Sequence, residues 1–233
     1  MNKKLKITLY TLAGVVILYQ LLNLTGIAAV YSIPTSGSEP NIKCGSIVVA
    51  TNMITPKRGD FVTYTFSDPN YGSFIYTHRL CGMENDTIEI IDGTLFVNGE
   101  NFDANYNLKH GYILNEEKFS MLDRTVTGSD YRVIPTNNGK NFFVFIEDAD
   151  AKKLQLEKYR FLIPKGESDP KIEDTYQNQW NTDHFGPLVI PKGKVFLLGD
   201  NRDNSQDSRF FGLIDEAAIT GVLWKTLFTI GCN

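Results

Sequence analysis

From Ile7 to Ser38 the chain carries not one charged residue, and its apolar part, ITLYTLAGVVILYQLLNLTGIAAV, runs for 24 residues. A bilayer core about 30 Å thick is crossed by about 20 apolar residues in a helix. Lys3, Lys4 and Lys6 stand just before the run and no basic residue follows closely. That asymmetry predicts a single transmembrane signal anchor over 7–30, with residues 1–6 in the cytoplasm and the remainder outside the cell membrane. The competing reading is a cleaved secretory signal, with Ala28 and Ala29 suited to the cleavage site. The apolar core of such a signal is usually 7–15 residues, shorter than this one.

Beyond the first six residues there are 20 Lys and Arg against 27 Asp and Glu. A net negative domain argues against nucleic-acid binding, which calls for a basic face. The three cysteines, Cys44, Cys81 and Cys232, leave at least one thiol unpaired within an extracytoplasmic chain, and spacing does not decide whether Cys44 and Cys81 bond. No CxxC pair points to zinc, and nothing suggests an organic cofactor.

After the apolar run the pattern turns to strands. GSIVVATNM, RGDFVTYTF, FIYTHRL and KVFLLGD are short apolar or alternating runs opened and closed by turn residues. In TIEIIDGTLFVNG an Asp-Gly pair separates two such runs, a hairpin signal. The regular punctuation predicts a mostly β, antiparallel core over 31–102 and 181–233 rather than a βαβ fold. Residues 103–180 are charged and irregular (NEEKFSMLDRT, EDADAKKLQLEKYR, PKGESDPKIEDTYQNQW) and read as an inserted α+β subdomain. Within it, DADAKKLQLEKYR predicts a short surface helix with Leu154 and Tyr159 on its buried side. AAITGVLWKTLFTIGCN reads as a closing strand with an apolar tail.

Chemistry concentrates in GDNRDNSQDSRFFGLI, Gly199 to Ile214. On composition alone it is a polar, turn-rich loop in which Asp207 and Arg209 can pair. The run also closely resembles the signature GDNR..S.DSR.FG of bacterial type I signal peptidases, at Gly199, Asp200, Asn201, Arg202, Ser205, Asp207, Ser208, Arg209 and Gly212. Other boxes follow in family order: RGDFVTY resembles RGDIVVF, THRLCGMENDTIEI resembles IKRVIGLPGDTIEI, and LFVNG and WNTDHFGPLVIPKG resemble further family segments. The resemblance spans the anchor and nearly all the β core and is weakest over 103–180. It implies a membrane-anchored serine endopeptidase that removes signal peptides from exported preproteins at the outer membrane face. Its β fold would carry an inserted subdomain, and it would use a serine nucleophile and a lysine base in a variant of triad logic. It further implies small side chains at the −1 and −3 substrate positions and an apolar surface near Tyr31 to Pro34 against the bilayer.

The two catalytic boxes depart from that pattern. The family's nucleophile box reads about IP(S/T)GSMxPT, and this chain reads IPTSGSEPNI. Without a gap the nucleophile position falls on Gly37, which describes an inactive chain. With a one-residue shift, Ser38 is the nucleophile and Ser36 supplies the side-chain donor of the oxyanion hole; Ser36 itself is the remaining candidate nucleophile. Such a shift in an extended segment turns the next side chain to the other face, so a bulge is expected, and Gly37 accommodates one. In YTHRL the lysine position is His78, as in the Ser-His branch of the same family, and Arg79 matches the arginine that follows the base. A lysine must be pulled down from about 10.4 to act as a base near neutrality, whereas histidine starts near 6.5. Activity is therefore expected to rise through a pKa near 6–7. His78 needs a partner on its second ring nitrogen, for which Asp200, Ser205 and Asp207 are the candidates, and Arg79, Asp207 and Arg209 are expected to form a supporting charge network. His110 and His184 read as surface or structural, and Arg58-Gly59-Asp60 as part of its strand box rather than an adhesion motif. The rival function is a non-catalytic homologue that binds or helps assemble exported or pilus-type precursors.

Overall fold

The computed structural model describes residues 2–68, 72–122, 131–136 and 139–232. Helix α1 (Lys3–Thr25) is capped by Asn2 and ended by Gly26 in the left-handed region, φ 71°. It is about 35 Å long at 1.5 Å per residue, and none of its residues is buried. The apolar run is therefore not helical throughout: Ala29 and Val30, the end of the predicted span, already belong to strand β1 (Ala29–Ser32). The polar Asn23 makes this joint, because its side chain accepts the Val30 N–H at 3.0 Å and donates to the Tyr19 carbonyl.

Antiparallel pairing dominates the rest. Strands β2 (Ser46–Thr51), β3 (Phe61–Asp68), β4 (Gly72–Gly82), β12 (Lys194–Leu198), β13 (Ile214–Asp215) and β14 (Ile219–Thr229) join β1 in a seven-stranded sheet of order β1-β2-β14-β3-β4-β12-β13. The strand read as closing the chain thus lies inside the sheet, between β2 and β3. Strands β5 (Thr87–Ile91), β6 (Thr94–Val97), β7 (Glu100–Asn101) and β11 (Phe185–Val189) form a second sheet, β11-β5-β6-β7. The Asp92-Gly93 hairpin is present: both residues take positive φ, 48° and 69°, as a twist-matched two-residue turn requires.

Two core clusters hold these sheets. Ile88, Ile90, Leu95, Phe185, Ile190 and Phe196 pack together in one, and Val62, Tyr64, Leu80, Val195, Leu197 and Ile214 in the other. Strands β8 (Lys109–Asn115), β9 (Tyr131–Thr136) and β10 (Gly139–Glu147) make a third sheet, β8-β10-β9. It has its own cluster of Tyr112, Leu114, Phe142, Val144, Ile146, Ala151 and Leu156. The segment NEEKFSMLDRT begins with helix α2 (Glu116–Ser120), and its last three residues lie outside the described residues. Helix α3 (Asp148–Lys153) is shorter than expected, and Leu154 is 39% exposed while Ala151 and Leu156 are buried. The chain leaves the helix at Leu154, so Leu154 turns outward, whereas Tyr159 packs against this cluster as expected. Helix α4 (Pro170–Tyr176) sends Ile172 into the first cluster, beside Phe185.

Candidate active site

Three pieces of chain converge here: the turn at 35–42, strand β4, and the loop after β12. The turn is not an extended segment with a bulge. The Glu39 N–H donates to the Ser36 carbonyl and the Ile42 N–H to the Ser38 carbonyl, so the chain coils where the one-residue shift falls. Asn41 donates to the Asn107 carbonyl and to Asp200 Oδ2, at 2.8 and 2.6 Å. Glu39 accepts the Cys44 N–H and pairs with Lys109 at 2.8 Å. These bonds fix both ends of the turn that presents Ser38.

Ser38 is 3% exposed, and its hydroxyl donates to the Thr77 carbonyl at 2.8 Å, one residue before His78. No hydrogen bond is made by the Ser38 N–H among the described residues. The Ser36 hydroxyl accepts from Asn204 Nδ2 at 2.9 Å, which leaves its own proton free to donate. Ser38 and His78 line one groove of about 360 Å³ together with Tyr31 to Thr35 and Phe74 to Thr77. Along it, β4 has a free edge: β12 pairs with β4 only over Arg79 to Gly82, so Gly72 to His78 pair with β3 alone among the described residues.

His78 is 5% exposed. Ser205 Oγ lies 3.3 Å from its Nε2 and Tyr64 Oη 2.8 Å from its Nδ1. Of the three candidate partners, then, Ser205 reaches the ring, while Asp200 and Asp207 do not. Asp200 binds Arg79 through two bonds, at 2.8 and 2.5 Å. Arg79 also donates to the Gly59 carbonyl and lies between the rings of Phe61 and Tyr106. Asp207 binds Arg209 with two bonds of 2.9 Å and accepts the Gly199 N–H. The expected single network is therefore two separate buried pairs. Tyr64 was missed because a tyrosine in an alternating strand reads as core; its hydroxyl position depends on the strand register.

Electrostatics at His78 differ from the sequence expectation. Burial pulls its pKa down to about 4; Asp207 and Asp200 oppose this and Arg209 adds to it. Burial also raises Tyr64 well above 10, helped by Asp207 and Tyr76, so the phenol stays neutral. On Asp207 burial works upward, yet Arg209, His78 and the Gly199 N–H hold its carboxyl below the usual range.

The loop after β12 is built for close approach. A Cβ on Gly199 would meet the Ser205 hydroxyl and come within 2.5 Å of the Gly37 carbonyl. Arg202 donates two hydrogen bonds to Asp103, at 2.6 and 2.7 Å, and Asp203 accepts the Gly111 N–H at 2.7 Å. Asp207 then caps helix α5 (Ser208–Phe211). Arg58 pairs with Asp86, and Asp60 accepts the Lys57 N–H, so both polar residues of the RGD tripeptide serve a turn. His110 is buried against Asp148 at 2.7 Å, and His184 is half-buried, 3.5 Å from Asp92. Cys44 is bonded to Cys232, which leaves Cys81 as a buried free thiol.

Comparison with known proteins agrees with the sequence boxes. The chain is 29% identical over 184 residues to signal peptidase I of Buchnera aphidicola, covering 76% of this chain and 56% of that one. It is 25% identical over 214 residues to signal peptidase I of Aquifex aeolicus, covering 84% and 73%. With signal peptidase IB of Staphylococcus aureus the identity is 29% over 198 residues, covering 82% and 73%. A solved signal peptidase I from Enterococcus faecalis is similar at 24% identity over 73% of this chain and 98% of that one, with a TM-score of 0.35. The profile described as "Signal peptidase, peptidase S26" matches residues 5–227, and the chain belongs to that family.

Proposed function

We propose that this protein is a membrane-anchored serine endopeptidase that removes signal peptides from exported preproteins, with Ser38 as nucleophile and His78 as base. The observation that carries the reading is that Ser38 and His78 open onto one groove beside the free edge of β4. An extended preprotein segment adds to that edge through main-chain hydrogen bonds. Phe74 and Ile75, both about half exposed beside the groove, suit a substrate arriving from the bilayer. Helix α1 spans the membrane with its lysines on the cytoplasmic side, and the Cys44–Cys232 bond suits an oxidising compartment outside it.

The chemistry is acyl transfer. A rotation about χ1 turns the Ser38 hydroxyl from the Thr77 carbonyl toward His78 as substrate fills the groove; catalytic hydrogen bonds commonly tighten only at that stage. Ser38 Oγ attacks the scissile carbonyl carbon and its proton passes to His78 Nε2. The oxyanion is met by the Ser38 N–H and the Ser36 hydroxyl. His78 then gives the proton to the leaving amine, and water, activated the same way, releases the acyl chain from Ser38.

Cleavage of a preprotein by the full chain in detergent tests the reading. Ser38→Ala and His78→Ala are expected to lose about 10⁴-fold or more in kcat, and Ser36→Ala about 10²–10³-fold. Parent-level turnover by Ser38→Ala removes Ser38 from the mechanism. A folded parent that binds several preproteins and cleaves none supports a binding homologue instead.

A further inference from the structure

A histidine that accepts a proton at one ring nitrogen must already hold one at the other, and the bond made by that other nitrogen decides which is free. In a Ser-His-Asp triad a carboxylate makes that bond. Here no carboxylate does so among the described residues: Asp200 is engaged by Arg79 and Asn41, and Asp207 by Arg209 and the Gly199 N–H. The group at Nδ1 is the Tyr64 hydroxyl, at 2.8 Å.

Strand register puts it there. Val62 lies opposite His78 across the β3–β4 pair, and Tyr64 is two residues further along β3. Phenol and imidazole therefore share a face at diagonal positions, within reach of long side chains. Tyr64 is fully buried, and its ring is stacked on Tyr76, so its hydroxyl is held in place. Two departures from the family boxes also meet in this one bond. RGDFVTY ends in tyrosine where the pattern RGDIVVF ends in phenylalanine, and His78 stands where the pattern has lysine.

We propose that Tyr64 is the positioning residue for His78: its oxygen accepts the Nδ1–H, which leaves the Nε2 lone pair facing Ser205. The assignment rests on His78 being the base. When Ser38 gives its proton to Nε2, the ring becomes an imidazolium that keeps its Nδ1–H on the phenol oxygen. The same Nε2 proton then leaves with the amine. Tyr64 keeps its own proton throughout and acts as a neutral acceptor in the place of a triad carboxylate.

Nitrogen NMR of the full chain in detergent, with ¹⁵N-labelled histidines, reads the tautomer directly. The His78 signals are identified by their loss in His78→Gln. The parent at pH 7 is expected to hold the proton on Nδ1. Tyr64→Phe is expected to shift the ring toward a mixture with the Nε2–H form and to lower kcat about 10–100-fold with KM unchanged, the range seen for partners that orient metal-ligating histidines. A parent in the Nε2–H form overturns the assignment, as does a Tyr64→Phe chain with the parent's tautomer and kcat. The parent spectrum decides alone if Tyr64→Phe fails to fold. Full activity in Ser38→Ala would overturn the nucleophile and leave the tautomer result standing, so the two failures are distinct.

Discussion

At His78, burial and neighbouring charge pull against each other, and burial prevails. The ring is faced by Asp207 and Asp200, which favour its protonated form, by Arg209, which opposes it, and by the neutral hydroxyls of Tyr64 and Ser205. With the pKa at about 4, the ring is unprotonated over the whole physiological range, as the proposed base must be. The acid limb of the kcat/KM profile is therefore expected near pH 4, with a plateau reached by about pH 6, and activity falls as pH falls through that limb. A limb at 6–7 would mean that the ring is solvated in the working enzyme. The same shift couples to stability. An unfolded histidine titrates near 6.5, so between pH 6.5 and 4 the unfolded chain binds a proton that the folded chain does not. The contribution is fully present above pH 6.5 and is lost as pH falls toward 4, and it amounts to roughly 3 kcal/mol. Urea unfolding at pH 7 and pH 5 is expected to show this pH-dependent part in the parent and not in His78→Gln.

The loop from Gly199 to Gly212 is held from within by Asp207 and Arg209, and outward by Asp200 on Arg79, Arg202 on Asp103 and Asp203 on the Gly111 N–H. Arg209 is 1% exposed and holds Asp207 and the Arg202 carbonyl, so it closes the loop on itself beneath Ser205. Removing one member leaves the other charge buried and unpaired, which costs about 3–5 kcal/mol. Arg209→Met or Asp207→Asn is expected to lower the unfolding free energy by that amount. The double variant is expected to lose less than the two losses added together, and full additivity would show that the pair is not coupled. This element was the most legible in the sequence, since nine of its residues fit one spaced pattern. Ser38 was legible only as one of two alignments, because coiling of the 35–42 turn replaces the extended geometry that the spacing assumed. Tyr64, Asp103 and Asp203 carried no signal in the sequence, for their roles depend on which strands pair and on a loop meeting β8. The third sheet was hidden as well: NFFVFI in β10 is a continuous run with no alternation, and the charged segments between the three strands dominate the composition of 103–180.

At the scale of the whole molecule, the order of strands explains a pairing that cysteine spacing left open. Cys44 and Cys81 are the nearer pair in sequence, yet Cys81 points into the first core cluster and its thiol is pushed up to about 12 by burial. Strand β14 runs back between β2 and β3 with its last residues opposite the start of β2, Thr229 across from Ser46. That register delivers Cys232 to Cys44, with Cα atoms 5.5 Å apart across 188 residues of sequence. The bond thus joins the end of a central strand to the chain that leaves the 35–42 turn, and it closes a loop containing almost everything outside α1. Cross-linking a loop of this length restricts the unfolded chain strongly, and loss of such a bond typically costs about 2–5 kcal/mol. The Cys44→Ser, Cys232→Ser double variant is expected to unfold at lower urea with a free energy reduced by that amount. Its kcat is expected to change far less, because Glu39, Asn41 and Lys109 still hold the turn. If reduction of the parent leaves its unfolding midpoint unmoved, the bond does not brace the fold. If the double variant loses kcat in step with stability, the turn depends on Cys44 rather than on the Glu39–Lys109 and Asn41–Asp200 contacts.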